Sequence, residues 1–73
     1  MKTVFIVDDD PNVIRGLINH IPWDDLNIRV LGTAVNGEEA LHKIEQQKPD
    51  IVITDIYMPK MDGLALIQAL RQK

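Results

Sequence analysis

Three consecutive carboxylates, Asp8, Asp9 and Asp10, directly follow an apolar run in the segment FIVDDDPN. Adjacent carboxylates repel one another and raise each other's pKa values unless a cation offsets the repulsion. Carboxylate oxygens are the ligands that hard divalent cations such as Mg²⁺ and Ca²⁺ prefer. A further acid, Asp55, ends a second apolar run, IVITD. These residues predict cation chemistry if the fold brings Asp55 to the first cluster.

The spacing of the acids leaves two simpler interpretations to consider. Acids after a strand are commonly solvated turn residues, so the cluster alone does not establish a metal site. Asp8, Asp10 and Asn12 also have the spacing of the first ligands of an EF-hand loop. That loop needs a glycine where Val13 stands and a glutamate where Asn19 stands, so the EF-hand interpretation fails.

The acids follow segments that have the character of strands. Val4–Val7 and Ile51–Ile56 are continuous apolar runs rich in β-branched residues, as is typical of parallel strands buried on both faces. Ile28–Val35 is a weaker candidate for a third strand. We therefore expect a small parallel sheet.

Helical patterns alternate with these strands. Asp10 can cap a first helix, which has Pro11 in its first turn and stops before Pro22. A second helix follows the turn at Asn36-Gly37, and a third follows Gly63. The predicted order is strand, helix, strand, helix, strand, helix.

This order predicts where the acids meet. Right-handed crossovers place the first two strands side by side, and a return across the first gives the strand order 2-1-3 with helices on both faces. The first and third strands then flank a topological switch point, where ligands bind outside the carboxyl ends of the strands. Asp55 is therefore expected beside Asp8 and Asp9.

Several motifs carry a resemblance to a known family. VDDD after the first strand and TDIYMPKMDG after the third resemble the acidic pair and phosphoacceptor loop of response-regulator receiver domains, and the match runs over residues 1–73. The chain is further similar to receivers of AraC-type two-component regulators in three segments, IPWDDL, AVNGEEAL and KPDIVITDIYMPKMDGLALI. The resemblance implies a flavodoxin-like α/β fold.

The resemblance also implies roles for individual residues. Asp55 would accept a phosphoryl group from a sensor histidine kinase and thereby regulate a DNA-binding output domain. Asp9 and Asp55 would bind Mg²⁺ together with the backbone carbonyl of Tyr57, and Asp8 would act through a metal-bound water. A receiver assists its own phosphorylation and is not counted as an enzyme, and we expect this fragment to assist it poorly. Asp10 has no role in this ligand set, and we predict that it caps the first helix.

One alternative of a different class uses the same acids. In a phosphatase of the haloacid-dehalogenase type, Asp8 would be the nucleophile and Asp10 the acid/base. Pro11-Asn12 departs from the Gly-Thr usual in that family, and the chain is short for its remaining motifs.

The resemblance covers only the first part of a receiver. We expect residues 1–73 to form a half-domain that lacks the fourth and fifth strands, which in receivers carry a Ser/Thr and a Lys that contact the phosphoryl group. A second hypothesis follows, in which a truncated or engineered half-receiver self-associates without signalling. The run IVITD would be an open, apolar edge, so we expect a homodimer through the third strand.

Composition excludes other classes of partner. The 73 residues include 11 acidic and 8 basic side chains without a basic cluster, so we expect no nucleic-acid contact. There is no cysteine, and MKTVFIVDDD lacks the long apolar stretch of a signal peptide. No segment is long enough to span a bilayer. We expect a soluble, cytoplasmic chain.

Overall fold

The computed structural model of the chain describes residues 1–55 and 63–71 and contains the six alternating elements that the sequence predicts. None of the helices in these ranges is both long and apolar enough to cross a membrane. The elements are β1 (Lys2–Val7), α1 (Pro11–His20), β2 (Ile28–Ala34), α2 (Gly37–Gln47), β3 (Ile51–Thr54) and α3 (Gly63–Arg71).

The three strands form one parallel sheet in the order β2-β1-β3, as predicted. β1 is therefore central and pairs with both neighbours. Because crossovers are right-handed, the connection from β1 to β2 puts α1 on one face of the sheet. The reverse step from β2 to β3 puts α2 on the other face, where it packs beside α3.

Side-chain alternation along β1 supplies apolar groups to both faces. Val4, Phe5, Ile6 and Val7 are all buried, which explains why this segment is a continuous apolar run. The main core lies on the face of α2 and α3. Its buried members are Phe5, Val7, Ala34, Ala40, Ile44 and Leu66, and Leu41, Val52 and Leu70 pack against them.

The helices begin and end at residues that satisfy their free backbone groups. Asp10 caps α1, since its carboxylate accepts a 2.9 Å hydrogen bond from the amide of Asn12. Asn36 caps α2 through a 2.9 Å bond from the amide of Glu39. Lys48 follows the last residue of this helix and caps it in a left-handed conformation with φ of 51°.

Element boundaries differ slightly from the sequence prediction. β2 ends at Ala34 rather than Val35, and β3 ends at Thr54, while Ile56 lies outside the described residues. Gly63 begins α3 instead of preceding it. These shifts do not move the acids away from the ends of the strands.

Trp23 packs at the end of the sheet opposite the acids, as expected. Its side chain is half-buried, and its indole Nε1 donates a 3.1 Å hydrogen bond to the carbonyl of Leu17. The bond satisfies the polar atom of a large apolar side chain. Trp23 is therefore a structural residue that closes the turn after α1.

The register of β1 against β2 contains one irregularity. Val4 pairs with Val30 and Phe5 with Gly32, so Leu31 is an extra residue on β2. A Cβ atom at Gly32 would lie 3.1 Å from Cε2 of Phe5. The glycine thus lets the backbone of β2 approach the central aromatic ring of the core.

Candidate metal and phosphoacceptor site

The structure brings together Asp8, Asp9 and Asp55 at the carboxyl ends of β1 and β3. One carboxylate oxygen from each lies within 4.8 Å of the others. Asp8 and Asp55 are half-buried, and Asp9 is exposed. Residues 46 or 47 positions apart in sequence are thus neighbours at the switch point between the two strands.

Backbone hydrogen bonds fix the positions of two of these acids. The amide of Asp8 donates to the carbonyl of Ala34 on β2 at 3.1 Å, and the amide of Asp55 donates to the carbonyl of Val7 on β1 at 3.0 Å. The backbone of each of these two acids is therefore hydrogen-bonded to a neighbouring strand, Asp8 to β2 and Asp55 to β1. The cluster is a consequence of strand pairing and does not depend on long, flexible side chains.

Electrostatics at the cluster disfavour an ionised Asp8. Burial is the main cause that raises its pKa, and the carboxylates of Asp55 and Asp9 raise it further. A 2.9 Å hydrogen bond from the amide of Asp10 to Oδ1 of Asp8 acts in the opposite direction. A cation would relieve the repulsion that the three acids exert on one another.

Sequence reasoning missed the second role of Asp10. Its side chain is the predicted helix cap, but its backbone amide also holds Oδ1 of Asp8. An aspartate whose carboxylate accepts from the amide two residues later forms an Asx turn, and the spacing of Asp8 and Asp10 is a signal for it. Asp10 therefore orients the cluster without belonging to it.

The residues present fit a hard divalent cation. Three carboxylates offer oxygen ligands close together, and Mg²⁺ typically uses one or two carboxylates while keeping several waters. The predicted carbonyl ligand from Tyr57 lies outside the described residues. The structure thus brings together Asp8, Asp9 and Asp55, the members of the predicted ligand set that lie among the described residues.

An open cavity of about 460 Å³ lies elsewhere, beside the end of α1 and the start of β2. It is lined in part by Ile18, Trp23, Asp24 and Arg29. None of the clustered acids lines it. We therefore locate the candidate chemistry at the shallow acidic site, since inner-sphere cation binding needs converging oxygen ligands more than volume.

Comparison with known proteins agrees with the geometry. A family model described as "Response regulator receiver domain" matches residues 4–73. The chain belongs to the response-regulator receiver family. The receiver domain of AraT from Geobacillus stearothermophilus superposes with a TM-score of 0.92 at 36% identity, and the match covers 99% of this chain and 56% of that one.

Two further comparisons show the range of proteins that carry such a receiver. The two-component transcriptional regulator AraC from Clostridium phytofermentans matches with a TM-score of 0.91 at 30% identity over 99% of this chain and 56% of that chain. A protein-glutamate methylesterase/protein-glutamine glutaminase from Nocardioides sp. is 48% identical over 66 residues, which are 90% of this chain and 18% of that protein. This receiver chain spans under a fifth of that curated relative and about half of the solved receivers.

Proposed function

We propose that this chain is a Mg²⁺-dependent phosphoacceptor of two-component signalling, with Asp55 as the residue that is phosphorylated. The observation that carries the proposal is the convergence of Asp55 with Asp8 and Asp9 within 4.8 Å. Of these three, Asp55 alone lies after β3, at the position that TDIYMPKMDG shares with the phosphoacceptor loop. Asp8 and Asp9 then take the role of the acidic pair.

The proposed reaction transfers a phosphoryl group to a carboxylate. An oxygen of Asp55 attacks the phosphorus of a phosphohistidine, an O–P bond forms, and the N–P bond breaks with its electron pair returning to the imidazole. Asp9 and Asp55 would hold Mg²⁺ with the carbonyl of Tyr57, and Asp8 would contact it through water. When bound, Mg²⁺ supplies charge neutralisation for the transferring phosphoryl oxygens.

The partners follow from the family and remain part of the proposal. The phosphoryl donor is a sensor histidine kinase in the cytoplasm, and the regulated output is a DNA-binding domain of the AraC type. Similarity to the two-component transcriptional regulator from Clostridium phytofermentans supports this output. We propose no nucleic-acid contact by this segment, because its 11 acids exceed its 8 basic residues.

The hydrogen bonds argue against the phosphatase alternative. Asp8 would have to attack phosphorus, yet its Oδ1 accepts the amide of Asp10. Asp10 would have to exchange protons with substrate, yet its Oδ1 accepts the amide of Asn12 as the cap of α1. Both carboxylates that the phosphatase alternative would use thus accept hydrogen bonds from the backbone of the turn that leads into α1.

Intact-protein mass spectrometry after incubation with acetyl phosphate and Mg²⁺ tests the proposal. The wild-type chain should gain one hydroxylamine-sensitive phosphoryl group, because acyl phosphates react with hydroxylamine. Asp55→Asn should gain none, and Asp9→Asn should gain it more slowly. Asp25→Asn, an exposed acid in the turn before β2, is the matched control and should behave as wild type.

Chelation of Mg²⁺ gives a second arm of the same experiment. Excess EDTA should abolish the modification. Labelling of another residue, or equal labelling of Asp55→Asn, would contradict the assignment.

Self-association is a second candidate property, favoured by the exposed apolar residues of β3. Ile51 and Ile53 each leave 37% of their surface accessible although they lie in a sheet. Asp55 lies directly after the end of β3, whereas the isoleucines lie along the strand. Association through this strand is therefore compatible with the phosphoacceptor role.

A further inference from the structure

Thr54 is the last residue of β3 and directly precedes Asp55, the proposed phosphoacceptor. It forms the last pair of the ladder between β1 and β3, opposite Val7. Its side-chain oxygen, Oγ1, donates a 2.9 Å hydrogen bond to the backbone carbonyl of Asp55. The side chain of a strand residue thus contacts the backbone of the residue that would accept the phosphoryl group.

The two peptide groups that flank the Cα atom of Asp55 are both hydrogen-bonded. The amide of Asp55 donates to the carbonyl of Val7 at 3.0 Å, and the carbonyl of Asp55 accepts the bond from the hydroxyl of Thr54. Because each peptide group is planar, the dihedral angles φ and ψ of Asp55 alone relate one group to the other. Bonds to both groups therefore restrict these angles, and with them the direction of the Cα–Cβ bond.

The direction of this bond determines where the carboxylate of Asp55 lies. An aspartate side chain is short, so its carboxylate follows the backbone closely. The oxygens of Asp55, Asp8 and Asp9 converge within 4.8 Å, and the backbone of Asp8 is itself bonded to β2. Displacing an attacking atom from its productive position slows a reaction strongly. Restraint of the Asp55 backbone should therefore favour phosphoryl transfer.

We propose that Thr54 is a positioning residue for phosphoryl transfer, which acts through the backbone carbonyl of Asp55 without touching the phosphoryl group. The inference rests on the proposed function of Asp55. Threonine meets two requirements at this position, since its branched Cβ suits a strand and its hydroxyl reaches the carbonyl of the next residue.

Two substitutions separate these requirements. Thr54→Val keeps the branched shape and removes the hydroxyl, whereas Thr54→Ser keeps the hydroxyl and removes the branch. Side chains alternate along a strand, so Thr54 lies on the same side of the sheet as Val52, which packs against the core. Thr54 is half-buried, and valine should be well tolerated there.

The two variants should change stability and reactivity in opposite directions. The urea midpoint should follow strand propensity, so Thr54→Val should be at least as stable as wild type and Thr54→Ser less stable. Labelling of Asp55 by acetyl phosphate and Mg²⁺ should follow the hydroxyl. Thr54→Val should be labelled roughly fivefold more slowly, as expected for the loss of one hydrogen bond, and Thr54→Ser at close to the wild-type rate. A residue with a purely structural role would give the same rank order in both measurements.

The same substitution elsewhere in the sheet provides the matched control. Thr33→Val also replaces a threonine of a strand, but it lies in β2. It should leave the labelling rate unchanged. Equal rates for Thr54→Val and wild type, or equal slowing of the valine and serine variants at position 54, would overturn the proposal.

Backbone dynamics of Asp55 provide a measurement that does not depend on phosphorylation. Relaxation of the carbonyl ¹³C nucleus of Asp55 reports motion of the peptide group that the hydroxyl holds. Its order parameter should be lower in Thr54→Val than in wild type and should be retained in Thr54→Ser. An unchanged order parameter in Thr54→Val would overturn the positioning role. If wild type is not labelled at Asp55, the proposed function fails, and the order parameters still decide whether Thr54 positions Asp55.

Discussion

The amide of Asp55 donates a 3.0 Å hydrogen bond to the carbonyl of Val7, the residue directly before Asp8. This bond joins the end of β3 to the end of β1, so the separation of the two acidic segments is determined by backbone pairing. Conservative changes of the carboxylates should therefore alter charge and ligand chemistry without moving the strands. A change at Asp8 tests this expectation most directly.

Asp8→Asn should stabilise the chain in the absence of Mg²⁺. Burial and the neighbouring acids raise the pKa of Asp8, which means that ionisation is less favourable in the folded than in the unfolded chain. The destabilising contribution is present at neutral pH and disappears as the pH falls through the folded pKa. Because asparagine keeps an oxygen for the amide of Asp10, the urea midpoint at neutral pH should rise.

Magnesium should reverse the order of the two proteins. A cation that binds the folded state stabilises it, and it should bind wild type more tightly than Asp8→Asn. Urea unfolding followed by Trp23 fluorescence with and without Mg²⁺ measures both effects. Asp25→Asn serves as control and should change neither. A lower midpoint for Asp8→Asn without metal, or an undiminished gain with metal, would refute this expectation.

Asp10→Ala should cost about 1 kcal/mol of unfolding free energy through loss of the α1 cap. The hydrogen bond from its carboxylate to the amide of Asn12 is lost, whereas its own backbone amide remains to hold Asp8. Magnesium binding, measured by calorimetry under folded conditions, should therefore be largely retained. Asp10→Ser restores a capping oxygen and should recover most of the stability.

Asp9→Ala should show the opposite pattern, since Asp9 belongs to the proposed ligand set and is not the cap of α1. Magnesium binding should weaken strongly while stability without metal is maintained. Equal effects of Asp9→Ala and Asp10→Ala on metal binding would contradict this division of roles.

A side-chain clamp between Asp50 and Thr3 should make stability dependent on acid pH. Oδ2 of Asp50 accepts a 2.9 Å bond from the amide of Thr3 and a 3.0 Å bond from its hydroxyl. These bonds lower the pKa of Asp50 below the ordinary value of an aspartate. Their contribution is present above the unfolded pKa and lost as the pH falls through the lower folded pKa.

The comparison of wild type with Asp50→Ala tests this clamp. The difference in urea midpoint should be constant near neutral pH and should shrink on acidification below about pH 3.9. Asp25→Ala is the exposed control and should show no such trend. A difference that persists unchanged in acid would assign the effect to something other than the ionised carboxylate.

Much of the architecture was predictable because it rests on local and topological rules. The full burial of Val4 through Val7 accounts for the continuous apolar run, and the strand order follows from crossover handedness. Asp8, Asp9 and Asp55 could be placed together on those grounds alone. Asp10 was correctly predicted as a cap because the chemistry of helix ends is local.

Other features depend on three-dimensional packing and could not be read from the pattern. The extra residue Leu31 in β2 accompanies the close packing of Gly32 against Phe5, and these two residues lie far apart in the sequence. The left-handed end of α2 at Lys48 is unusual for a residue with a side chain. The bond between Asp8 and the amide of Asp10 arises from the turn that leads into α1.

Replacing Gly16 and Gly32 by alanine should change stability in opposite directions. A Cβ at Gly32 would lie 3.1 Å from the buried ring of Phe5, so Gly32→Ala overpacks the core and should cost roughly 1–3 kcal/mol. Gly16 lies inside α1, where a Cβ meets nothing within 4 Å, so Gly16→Ala should gain about 0.5–1 kcal/mol from helix propensity. Urea unfolding measures both. Stabilisation by Gly32→Ala would show that the ring of Phe5 can move away. It would contradict the inference that β2 needs a glycine to pack against this ring.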